Sequence, residues 1–189
     1  ISNILNQQRK HPMSRNTMNL KELHEAVSQW GTDRNFFGEG GSTYEGQWCK
    51  LFEEAGELAT GINKKKDKVV KDSIGDMLVV CIMLEHLARK QHSLTITAGF
   101  NLFSCVGEYR EQPLHNHLYM ITGELSWLSS ANTATTYKGV YLQRMVAHLA
   151  NVASAYNYNL AECLEAAYDE IKDRKGQMVN GVFIKEDDL

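Results

Sequence analysis

Asp72-Ser73-Ile74-Gly75-Asp76-Met77-Leu78-Val79-Val80-Cys81-Ile82-Met83-Leu84 decides how this chain folds. Its second half is an eight-residue apolar run, too apolar for a solvated surface, inside a longer helical pattern that spans about 67–91. Asp76 stands at the mouth of that run and is expected to be partly buried. An ionised carboxylate there costs several kcal/mol unless a cation or strong donors compensate it, on the order of what breaking a buried ion pair costs. The helix before it, about 43–63, carries a second acidic group, Glu53-Glu54-Ala55-Gly56-Glu57.

Residues three and four apart are neighbours on a helix, so Glu54 and Glu57 share a face, Glu53 adjoins Glu57, and Asp72 lies one turn before Asp76. Leu51, Ala55, Leu58 and Ile62 are expected to form the opposite, apolar stripe. The basic turn Asn63-Lys64-Lys65-Lys66-Asp67 between the two helices is short, so they should run antiparallel and bring both acidic groups to one level of a bundle. Oxygen-only ligands in this number suit magnesium or manganese, which keep waters and bind phosphate oxygens at the same time. A di-iron bundle would need Glu-x-x-His pairs, and no acid precedes any of the seven histidines by three.

Outward from these helices the pattern stays helical, over about 18–30, 93–110, 114–130, 136–156 and 159–174, with polar connections and no strand before the tail. The fold class is therefore all-α, a helical bundle in one domain over 18–177. Residues 1–17 lack a sustained apolar period and read as a flexible N-terminal segment; 178–189 read as a C-terminal arm, extended or a small hairpin, of a kind that packs on another subunit. A shift of 67 positions aligns Leu51 with Leu118, Gly56-Glu57-Leu58 with Gly123-Glu124-Leu125 and Lys71 with Lys138, which suggests repeats over about 36–91 and 103–156. Under that shift Glu53, Glu54, Asp72 and Asp76 fall on Met120, Ile121, Gly139 and Gln143, so the second copy would be non-catalytic.

The chain has 189 residues, 43% of them hydrophobic and two of them proline, enough for one compact core. A net charge of -3 argues against general nucleic-acid binding. No apolar run approaches the roughly 20 residues that cross a bilayer, and the expectation is a soluble, cytoplasmic protein. Cys49, Cys81, Cys105 and Cys163 show no CxxC spacing and fall in stretches read as helical, pointing to reduced, mostly buried thiols rather than a zinc site or disulfides.

Around the acids the sequence resembles the all-α nucleoside triphosphate pyrophosphohydrolases of the MazG-like superfamily, related to the dimeric dUTPases. The resemblance runs through Glu54-x-x-Glu57, Ser73-x-x-Asp76, Trp30-Gly31-Thr32-Asp33-Arg34-Asn35-Phe36 and Gln47-Trp48-Cys49-Lys50-Leu51-Phe52-Glu53-Glu54, the last two similar to phage-encoded members. It implies hydrolysis of a nucleoside triphosphate, NTP or dNTP, to the monophosphate and pyrophosphate. It also implies Mg2+, or Mn2+, held by Glu54, Glu57, Asp76 and Asp72, with Glu53 or Glu54 as the catalytic carboxylate. A homodimer or higher homo-oligomer follows from the same resemblance, in the host cytoplasm if the protein is phage-encoded. Lys172, Arg174 and Lys175 are candidates to hold the phosphate tail, and Gln47, Trp30 and Phe36 to hold the base. Ser73 departs from the family pattern, which has Glu there. That departure sustains an alternative, a catalytically inactive nucleotide-binding or partner-binding helical protein.

Overall fold

The computed structural model describes residues 18–91, 100–107, 112–130 and 135–186; the expectation for residues 1–17 lies outside them. Among the described residues the chain forms six helices and one two-stranded hairpin: α1 (Leu20–Asp33), α2 (Tyr44–Asn63), α3 (Asp67–Gln91), α4 (Leu114–Ser129), α5 (Thr135–Ala155), α6 (Leu160–Ile171), β1 (Gly176–Val179) and β2 (Val182–Lys185). The all-α expectation holds, with the hairpin as a small appendage.

Local chemistry explains the helix starts. Asn19 opens α1 and Asn159 opens α6, each in a reciprocal capping box with the Glu three residues on, Glu22 and Glu162. Thr43 caps α2 by accepting from the Gly46 N–H. Between α2 and α3 the Lys65 backbone turns left-handed at φ 51°, and the Lys66 N–H returns to the Gly61 carbonyl.

Helix α3 is the spine. It packs on α1, α2, α5 and α6, and Ile74, Met77, Leu78, Cys81, Ile82 and Leu84 along it are fully buried. Each such aliphatic side chain contributes roughly 1.5–3 kcal/mol by leaving water. At Gly75 the helix closes on α6: a Cβ there would lie 2.4 Å from the Cys163 carbonyl oxygen. Helices α4 and α5 pack on each other, and every boundary of this second pair falls within three residues of the position 67 on from α2 and α3.

Two expectations are corrected, and for the tail one of two alternatives is realised. The described part of 93–110, residues 100–107, is a series of turns rather than helix; Asn101 accepts from the Phe103 N–H, and i→i−3 bonds follow from Ser104 and Val106. The rest of 93–110 lies outside the described residues. Cys105 therefore sits in a turn, and both it and Cys49 are exposed, while Cys81 and Cys163 are buried. The tail is a hairpin closed by Asn180-Gly181, both at positive φ, the dipeptide that a two-residue turn demands. It folds back on its own chain, where Phe183 packs against Trp30 and Phe36.

Candidate active site

Glu54 does not share the solvated face of α2. The buried positions of this helix are Tyr44, Leu51, Glu54, Leu58 and Gly61, so Glu54 stands within the apolar stripe, three after Leu51 and four before Leu58. It is 4% exposed. Its Oε1 accepts from the Lys50 ammonium at 2.7 Å, whereas its Oε2 is buried with no partner. A buried carboxylate oxygen left unmatched costs about 1–3 kcal/mol. Lys50 also reaches Glu53 at 3.1 Å; burial works to lower its pKa, but the bonds to Glu54 and Glu53 prevail and raise it.

These groups line a cavity of about 700 Å³ between α2, α3, the end of α6 and the hairpin. Glu53, Glu54 and Glu57 come from α2, Asp76 from α3 and Glu170 from α6. Asp76 is half-buried, and its pKa is pushed up to about 6, by burial first and then by the charges of Glu54 and Glu170, with Lys50 opposing. Asp72 acts on Asp76 only as a further negative charge; it does not line the cavity.

An aromatic floor and a basic rim complete the cavity. Trp30, Phe36 and Phe183 cluster with ring centroids 5.0–5.9 Å apart. Gln47 lines the wall, its amide donating to the Ser42 hydroxyl at 2.9 Å. Trp48, by contrast, donates to the Leu125 carbonyl and serves the contact with α4. Arg34 stacks on Trp30 and donates to the carbonyls of Lys172 and Arg174, fixing the chain just after α6. Of the three basic candidates there, Arg174 lines the cavity. Lys172 is ion-paired with Asp169 at 2.6 Å, and neither it nor Lys175 reaches the lining.

Sequence reading missed Lys50, Glu170, Phe183 and Lys185. Lys50 was legible, since it precedes Glu54 by four. The others needed the path of α6 and the hairpin, which no local spacing reveals. Among the described residues no three His, Cys, Asp or Glu side chains stand as a ready metal cage. Between Glu53 and Glu54 the Lys50 ammonium holds the place of a cation. A hard divalent ion nevertheless suits this set: the donors are all carboxylates, one oxygen is buried and unmatched, and the negative groups outnumber their cations.

Residues 43–104 match the family described as MazG nucleotide pyrophosphohydrolase domain. An "Uncharacterized 18.2 kDa protein in rep-hol intergenic region" of Haemophilus phage HP1 (strain HP1c1) is 44% identical over 73 residues, 39% of this chain. The aligned stretch spans 42% of that phage protein. No solved structure matches the chain at a significant level. The family stretch holds Gln47, Lys50 and every acid of α2 and α3, while Trp30, Phe36, α6 and the hairpin lie outside it. On its two acidic helices, then, the chain is similar to the MazG nucleotide pyrophosphohydrolase domain.

Proposed function

We propose that the protein hydrolyses a nucleoside triphosphate, NTP or dNTP, to the monophosphate and pyrophosphate, with magnesium or manganese as cofactor. The observation that carries this reading is Glu54, buried with an unmatched oxygen in a cavity that is acidic on one wall, basic at the rim and aromatic at the floor. A divalent ion held by Glu54, Glu57 and Asp76 would offset phosphate charge and polarise the attacked phosphorus. Glu53, at the exposed edge, takes the proton of the attacking water as its oxygen bonds to phosphorus, the α–β anhydride bond breaks and pyrophosphate leaves. Arg174 and Lys185 donate to the phosphate tail, which the carboxylates alone would repel. Trp30, Phe36 and Phe183 provide the surface on which a base stacks, and the Gln47 amide reads its edge.

The proposal includes a homodimer or higher homo-oligomer, supported by large apolar side chains exposed on α2 and α4, Phe52 and Tyr119. It places the protein in the cytoplasm, that of the host if it is phage-encoded; among the described residues no helix is long and apolar enough to cross a membrane. The test is pyrophosphate release from a panel of ribo- and deoxyribonucleoside triphosphates with and without magnesium, for the wild type, Glu57→Ala and Asp76→Ala. Selective, metal-dependent release lost in both variants supports the enzyme. Binding of a triphosphate without release from any member of the panel would favour the inactive nucleotide-binding alternative.

A further inference from the structure

Glu170 lies outside the family stretch, and nothing in the acidic pattern of α2 and α3 points to it. The fold nevertheless delivers it to the cavity. Gly75, one residue before Asp76, lets α3 approach α6 so closely that a Cβ there would meet the Cys163 carbonyl oxygen at 2.4 Å and the Ala167 methyl at 2.9 Å. Cys163, Ala167 and Glu170 recur at spacings of four and three, so the face of α6 that meets Gly75 carries Glu170 one turn further on. The Trp30 indole N–H donates to the Ile171 carbonyl at 2.7 Å, and Arg34 donates to the carbonyls of Lys172 and Arg174 just beyond it, so this end of α6 is pinned.

The neighbouring Asp169 is paired with Lys172, but Glu170 has no hydrogen-bond or ion-pair partner among the described residues. It lines the same cavity as Glu54, whose Oε2 is buried and unmatched. Ser73, one turn before Asp76, is 1% exposed and lies outside the lining, so its hydroxyl adds no oxygen to the cavity. Unpaired acids gathered from three helices repel one another until a cation joins them. We propose that Glu170 is a direct oxygen ligand of the divalent cation, a carboxylate supplied by α6 rather than by the two helices of the family pattern. This rests on the reading that the cavity takes such a cation.

The experiment is a Mn2+ titration of the full chain without nucleotide, following free Mn2+ by electron paramagnetic resonance and inner-sphere water by proton relaxation. Wild type, Glu170→Gln, Asp169→Asn and Asp76→Asn are compared. The expected result is binding weakened about tenfold or more in Glu170→Gln, with one more coordinated water, and unchanged within about twofold in Asp169→Asn, which removes the same charge next door. Loss of binding in Asp76→Asn with Glu170→Gln like the wild type would overturn the role of Glu170 and leave the metal reading standing. Weaker binding in Glu170→Gln with an unchanged water count would overturn direct ligation. A wild type that binds no Mn2+ would overturn both.

Discussion

The pair α2–α3 and the pair α4–α5 each bury a glutamate on the first helix, and in each case one carboxylate oxygen is left unmatched: Glu54 Oε2 and Glu124 Oε2. Their compensation differs. Glu54 is held by Lys50 of its own helix, 46% exposed, on a flexible stem. Glu124 is held from the facing helix by the Arg144 guanidinium at 2.9 Å. The cavity of the first pair gathers five carboxylates. That of the second, about 520 Å³, gathers Arg144, His117, His148 and Asn151. The two histidines share a contact at 3.3 Å between their Nδ1 atoms, and burial lowers the pKa of both, favouring their neutral forms. Helical pairing supplies the scaffold in both places; an excess of negative charge is present in only one.

That contrast can be broken in several places. The largest effect is expected on catalysis: Glu57→Ala and Asp76→Ala should lower pyrophosphate release by at least about a hundredfold, whereas Glu124→Gln should leave it within about twofold. Steady-state kinetics with saturating magnesium check this. Next comes stability. Arg144→Ala strands Glu124 and should cost about 3 kcal/mol in urea unfolding, with no relief from magnesium. Lys50→Ala strands Glu54 at a cost of about 1–3 kcal/mol, and here magnesium should restore the loss, since the ion replaces the missing ammonium.

A smaller effect separates the pairs by pH. Asp76 binds its proton more tightly folded, near pH 6, than unfolded, near 3.8, so its share of metal-free stability is present below pH 4 and is lost as pH rises to 6. His117 and His148 have the opposite sign: their lowered pKa values mean that stability is lost as pH falls below about 6.5, where the unfolded chain takes up protons first. Urea midpoints of metal-free wild type and Asp76→Asn across pH 4–8 should draw apart as pH rises from 4 to 6 and stay apart above it, with the variant flatter in that window. The smallest effect belongs to the floor: Phe183→Ala should raise KM several-fold and change kcat less, because stacking is uniform binding.

Much of this was legible in the sequence, and the reasons for the rest are physical. Helix α3 was readable because its apolar run and length have one packing solution, and the acids of α2 and α3 because their spacing is local. Glu54 and Glu57 do line one cavity, but Glu54 lies inside the apolar stripe rather than opposite it. The stripe Leu51, Leu58 and Gly61 takes it in at three and four spacing, but a charged residue inside an apolar stripe is discounted unless its partner, here Lys50, is weighed with it. Turns at 100–107 sat inside a helical apolar pattern that Asn101 and Gly107 interrupt. Glu170, Phe183 and Lys185 reach the cavity only because Gly75 seats α6 and Asn180-Gly181 folds the tail back, and such long-range placements leave no local signature.

The central claim is that excess negative charge between α2, α3 and α6 works through a divalent cation. Its most direct test measures pyrophosphate and nucleoside monophosphate together, in wild type, Asp76→Asn and Glu124→Gln, as magnesium is titrated from zero. Wild type and Glu124→Gln are expected to give equal amounts of both products, none without magnesium, and Asp76→Asn none at any concentration. Release that is independent of magnesium, or retained in Asp76→Asn and lost in Glu124→Gln, would contradict the claim.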